Sequence, residues 1–149
     1  MSKYLINNNP NHQFNPNYPQ FRSSFLYREL TSVYFGPRGV GKSFDVGYHS
    51  QDVAHAMARA SFVFAGITYA FLLDYGLPPI ISTWNALGYK ENVHYVLFKK
   101  PKEGFFASKP YVLPMKWDKV ISWYTGSVFY LASQDTDAPF RGPTIDGVY

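Results

Sequence analysis

The chain has 149 residues, with 46% hydrophobic and 16% charged side chains, which is enough apolar material for one buried core and excludes a chain disordered by composition. It contains no cysteine, so disulfides, thiolate nucleophiles and Cys-based metal sites are excluded. The net charge of +4 permits contact with polyanions without demanding it, and four scattered histidines show no metal-ligand spacing.

The first segment, residues 1–20, is rich in Asn and Pro and lacks an apolar stretch behind a basic start, so it reads as an extended arm and not as a targeting signal. Residues 1–29 are taken as this arm and 30–149 as one domain. The longest apolar run, Ala60–Leu73, has about 14 residues and stops at Asp74, short of the roughly 20 that a membrane helix needs. The expectation is a soluble, intracellular chain that does not cross a membrane.

Leu30–Phe35 is β-branched and aromatic and runs into Gly36-Pro37, the pattern of a buried strand. Lys42–Met57 predicts a helix, with Phe44, Val46, Val53, Ala54 and Met57 as its apolar face and Gly47 as its weak point. Ser61–Ala65 predicts a second strand. Thr68–Leu87 predicts a kinked or two-piece helix, interrupted at Gly76 and Pro78-Pro79 and stopped by Gly88. His94–Phe98 predicts a third strand, with His94 as a packed core histidine.

A Lys/Pro/Gly connection follows over Lys99–Pro114. Seven of the 14 basic residues fall between Lys90 and Lys119, against only Glu91, Glu103 and Asp118 there. Within it Lys99, Lys100 and Lys102 form a cluster suited to DNA phosphates or to a solvated turn. Lys119–Tyr124 and Ser127–Ala132 are separated by Thr125-Gly126, the spacing of a tight hairpin. A final apolar run opens at Ile145, so the chain is expected to stop at Tyr149 with a strand in progress. The order strand, helix, strand, helix, strand predicts an α/β fold: a mainly parallel sheet flanked by helices, with the hairpin as an antiparallel addition.

One motif carries chemistry. Gly36-Pro37-Arg38-Gly39-Val40-Gly41-Lys42-Ser43 satisfies G-x-x-x-x-G-K-[ST], between a predicted strand and a predicted helix. The glycines let successive backbone N–H groups point at phosphate oxygens, and the helix start adds its positive end. Lys42 would reach the β- and γ-phosphates of ATP, and the Ser43 hydroxyl would ligate Mg²⁺. Hydrolysis also calls for an acidic pair at the end of a second strand. No hydrophobic run in the chain ends in Asp-Asp or Asp-Glu; Asp135 and Asp137 suit a solvated loop. For adenine stacking the arm offers Phe14, Tyr18 and Phe21, with Gln13 or Gln20 to read its edge. Trp84, Trp117 and Trp123 read as core or partner-facing.

Four segments resemble the N-terminal ATPase part of the large terminase subunit of tailed bacteriophages: FGPRGVGKSF (35–44), LGYKENVHYVLFKKP (87–101), SWYTGSVFYLASQD (122–135) and FRGPTIDGVY (140–149). The resemblance implies a P-loop NTPase of the ASCE type, an incomplete domain ending before the Walker B acids, with the nuclease domain absent. It implies that the intact protein is an ATPase motor driving double-stranded viral DNA into a procapsid. A homo-oligomeric ring, working with a portal protein and a small terminase subunit in the host cytoplasm, belongs to the same expectation. Arg38 would face the γ-phosphate, and Arg141 would act as a finger in the neighbouring subunit's site. Two alternatives stand beside it. One is a non-catalytic nucleotide-binding phage fragment. The other is a different P-loop phosphoryl-transfer enzyme, which would need a multi-arginine lid although only Arg59 and Arg141 follow the loop.

Overall fold

The computed structural model describes residues 41–134 and 147–148. The predicted arm and the strand at Leu30–Phe35 lie outside them. Helix α1 (Lys42–Ala56) is followed by β1 (Ser61–Gly66). Next come α2 (Tyr69–Phe71), a π-helical turn (Leu72–Gly76) and α3 (Leu77–Ala86), without a break. Then follow β2 (Tyr95–Leu97), β3 (Val120–Trp123), β4 (Val128–Ser133) and β5 (Gly147–Val148). Among the described residues no helix is long and apolar enough to cross a membrane.

The strands form one mixed sheet in the order β2-β3-β4-β1-β5. β1 pairs in parallel with β4 (Ser61 opposite Val128) and with β5 (Phe62 opposite Gly147). β2–β3 and β3–β4 are antiparallel. This corrects the mainly parallel sheet expected from element order. The third strand joins the hairpin and not the parallel set, and the hairpin's second strand lies in mid-sheet as the parallel partner of β1. β4 is buried at five of its six positions, as a central strand must be.

The hairpin turn is one residue longer than its spacing suggests. Gly126 N–H donates to Trp123 O and Trp123 N–H to Ser127 O, both at 2.9 Å, so Tyr124, Thr125 and Gly126 make a three-residue loop. Its last position has φ +92°, the left-handed geometry that such loops place on glycine.

The π-turn has a cause in sequence. Pro78 and Pro79 open α3, lack N–H groups and would crowd the carbonyls one turn back. The chain widens there: Leu77 N–H reaches Leu72 O, five residues away. α3 ends as its glycine predicts. Tyr89 N–H donates to Trp84 O and Gly88 N–H to Asn85 O, while Gly88 takes φ +92°.

α1 and α3 pack together on the sheet face that carries Phe62, Phe64, Ile121, Trp123, Phe129 and Leu131. Phe129 stacks between Phe62 (5.0 Å) and Phe64 (4.9 Å), and Trp84 meets Trp123 edge-on at 5.1 Å. Such pairs each add about 0.5–1.5 kcal/mol beyond the area they bury. The buried face of α1 is Asp45, Gly47, Tyr48, Ser50, Gln51 and Ala54. This corrects the expected apolar face, of which only Ala54 is fully buried; Met57 is 45% exposed. Gly47 and Ser50 are buried because the large Trp84 lies on them, its indole N–H reaching Gly47 O and Ser50 Oγ. A Cβ on Gly47 would meet Thr83 Cβ at 2.8 Å, so this glycine is a packing surface.

Candidate functional site: the start of helix α1

Gly41 ends the glycine-rich motif and starts the helix. Its φ of +83° and ψ of +16° are left-handed, a conformation costing roughly 1–2 kcal/mol with any Cβ present. From it the chain turns directly into α1: Gly41 O accepts from Asp45 N–H at 3.0 Å, closing the first helical turn. Lys42 and Ser43 are the first two helical residues, Lys42 half-buried and Ser43 exposed. No side chain caps this helix end. The remaining motif residues (Gly36, Pro37, Arg38, Gly39, Val40) lie outside the described residues, as do Arg141 and the adenine candidates Gln13, Phe14, Tyr18, Gln20 and Phe21.

The fold gives this helix start its position. At the other end of α1, Ala54 O accepts from Thr125 Oγ1 at 2.7 Å and from Ser127 Oγ at 3.0 Å, just before β4 begins. Two turns earlier, Gly47 O accepts from the Trp84 indole, whose ring lies against Phe64 and Phe129 further along the strands, so α1 runs back along the sheet, against the direction of β1 and β4. Its first turn lies toward the edge where those strands end, at Gly66 and Ser133. In open α/β sheets, ligands settle outside the carboxyl ends of the strands. Thr68 is at the same edge, with its Oγ1 accepting from Phe71 N–H at 3.0 Å. So is Lys119, whose ammonium sits 4.6 Å from the centre of the Tyr69 ring.

Asp45, two residues after Ser43, is 2% exposed and was not foreseen from the sequence. An acid in the first turn faces the positive end of the helix, and that position was the available signal. Neither β1 nor β4 ends in an acidic pair among the described residues, and no three His, Asp or Glu side chains gather there as a metal-binding group.

The other candidates fall elsewhere. Trp84 and Trp123 are fully buried, as core residues. His94 is half-buried: Lys90 N–H donates to its Nδ1 at 3.0 Å, and its ring meets Tyr89 and Tyr124 edge-on. Burial, then the charges of Lys90 and His55, lower its pKa. Lys99, Lys100 and Lys102 line a recess at the end of β2. No protein-family model, curated protein or solved structure matches the chain.

Proposed function

We propose that this chain is the nucleotide-holding part of a P-loop motor ATPase of the large-terminase type, which in its intact form moves double-stranded DNA. The observation that carries the reading is the junction at Gly41. A G-x-x-x-x-G-K-S motif has its second glycine, Gly41, in left-handed geometry and enters a helix whose first turn lies toward the carboxyl edge of β1 and β4. The helix start and the loop amides would hold the phosphates of ATP, Lys42 would neutralise the β- and γ-phosphate charge, and Ser43 would ligate Mg²⁺. Arg38 beside the γ-phosphate, Arg141 acting across a ring, and the portal and small-subunit partners rest on the sequence resemblance.

A second reading has its own support. No apolar run in the 149 residues ends in an acidic pair, which favours a chain that binds nucleotide without turning it over. One experiment addresses both. Mg·ATP binding is measured by calorimetry on the chain and on Lys42→Ala, alongside phosphate release. Binding that the variant loses by tenfold or more, with no phosphate release, supports a nucleotide-holding unit lacking its catalytic acid. Turnover abolished by the substitution would make the chain a complete ATPase, and absence of binding would end the nucleotide reading.

A further inference from the structure

The whole net charge of the chain resides in one segment. Residues 90–119 hold seven lysines and three acids, a surplus of 7 − 3 = 4; the rest of the chain holds seven basic and seven acidic residues and sums to zero. The segment spans β2 and the long connection from β2 to β3. Such an imbalance within 30 residues concentrates positive potential on one part of the surface.

The structure folds part of that charge around a concavity. Phe98, at φ +53°, turns the chain out of β2 while its N–H still donates to Val120 O at 2.9 Å. The lysines that follow, Lys99, Lys100 and Lys102, line a recess of about 490 Å³ together with Asn92, Val96 and Phe105. All three lysines are exposed. Lys99 has Glu91 at 4.0 Å, with both side chains about half exposed, and a pair of that kind neutralises little. Among the described residues no carboxylate lies within ion-pair distance of Lys100 or Lys102. Three ammonium groups around one hollow repel one another unless an anion enters it.

We propose that this recess and its flanking lysines seat the phosphodiester backbone of a nucleic acid. The form of the site selects that ligand over a small anion. Small-molecule sites enclose most of their ligand and fix it with a few well-placed polar groups. Here the cations are point charges on flexible stems at exposed positions, and no arginine lines the hollow. That arrangement follows a charged backbone without reading bases. β2 runs in the same direction as β4, so its end brings the recess to the sheet edge toward which α1 opens. The recess shares no residue with the phosphate loop, so loss of duplex binding and loss of ATP binding are separate results.

The test is fluorescence anisotropy of a labelled 30-base-pair DNA duplex against the full chain, from 25 to 200 mM salt. A second protein carries Lys99→Gln, Lys100→Gln and Lys102→Gln, which removes the charge and leaves a flexible polar side chain at each position. A circular dichroism melt within a few degrees of the parent confirms its fold. The expected result is parent binding that weakens steeply with salt. In the triple variant Kd rises roughly tenfold or more, and the slope of log K against log[salt] is shallower by about 3, near 0.9 per lost phosphate contact. Absence of duplex binding at 25 mM salt, or a folded variant with unchanged affinity and slope, would overturn the proposal. So would displacement of the duplex by micromolar inorganic pyrophosphate, which would assign the recess to a small polyphosphate.

Discussion

Trp84 donates its indole N–H to the carbonyl oxygen of Gly47 at 2.9 Å, across the interface between α3 and α1. The same N–H lies 3.2 Å from Ser50 Oγ, and Ser50 in turn donates to Gly47 O at 2.9 Å. A fully buried indole is thereby satisfied by helix backbone, and it reaches that backbone only because residue 47 has no side chain. This is how α1, carrying Lys42 and Ser43 at its start, is fixed on the sheet.

Gly47→Ala sets two effects against each other. Alanine improves helix propensity by about 1 kcal/mol. Its Cβ, however, would meet Thr83 Cβ at 2.8 Å and Ile80 O at 3.2 Å, atoms held by backbone that cannot swing away. With a contact below 3.0 Å against such atoms the overpacking cost falls in the upper part of its usual range, about 2–3 kcal/mol, so a net loss of about 1–2 kcal/mol is expected, read as a Tm lower by several degrees. A melt equal to or above the parent's would mean that α1 and α3 are not this close.

The sequence carried the elements more clearly than their neighbours in the sheet. Gly41 before Lys42, Gly88 after α3 and Gly126 in the hairpin each marked a boundary, because left-handed backbone selects glycine over short range. Pairing is a long-range choice. Nothing in Tyr95–Leu97 states that it will meet Trp123 antiparallel instead of joining β1, and no local pattern in Val128–Ser133 distinguishes a central strand from an added one. The buried face of α1 was hidden for a related reason: Gly47 and Ser50 become core positions only once Trp84 lies on them. At the site, the motif was legible as a pattern, whereas buried Asp45 gave only the weak signal of a first-turn acid.

Two glycines with the same backbone sign should respond differently to alanine. Gly104 has φ +81° with nothing within 4 Å of an added Cβ, so Gly104→Ala carries only left-handed strain, about 1–2 kcal/mol. At Gly126, φ +92°, the Cβ would also collide with the carbonyl of Ser108. Gly126→Ala is expected to cost about 3 kcal/mol or more, since strain and displacement of the connection add. Equal urea midpoints for the two variants would show that the connection does not lie against the hairpin turn.

Ser122 is fully buried in β3 between Val96 and Val128, and its Oγ has no hydrogen-bond partner among the described residues. An unsatisfied buried hydroxyl costs about 1–3 kcal/mol. Ser122→Ala removes it with almost no change in volume, so a gain in stability of about 1 kcal/mol is expected in urea unfolding. A loss of similar size would reveal a partner for the hydroxyl and refute the assignment.

The ring cluster between α1 and the hairpin makes stability depend on pH at both ends. Burial, reinforced by Tyr124 and Asp52, pushes the Tyr89 phenol up to about 12, and burial with Asp52 and Tyr89 raises Tyr48 as well. An unfolded tyrosine ionises near 10, so above that pH the unfolded chain releases protons that the folded chain keeps. Stability is therefore full below pH 10 and declines as pH rises toward 12. His94 works in the opposite direction. Its pKa is depressed in the fold, so its contribution is complete above pH 6.5 and is lost as pH falls. Urea midpoints across this range should show both limbs, with Tyr89→Phe shrinking the alkaline one. An alkaline limb unchanged in that variant would place its cause in other groups.

The two helix-start residues should separate by their need for metal. Lys42 would act on phosphate charge directly, so Lys42→Ala should weaken ATP binding with or without Mg²⁺. Ser43 would act only through the ion, so Ser43→Ala should match the parent in EDTA and fall behind it when Mg²⁺ is present. A lost ligand to a charged group is worth about 1.5–3 kcal/mol, which corresponds to a drop of roughly tenfold or more in the Mg²⁺ arm alone. Calorimetric titrations of ATP into each variant, with Mg²⁺ and with EDTA, read this directly. Equal losses for Ser43→Ala in both arms would mean that the hydroxyl shapes the start of α1 and is not a metal ligand.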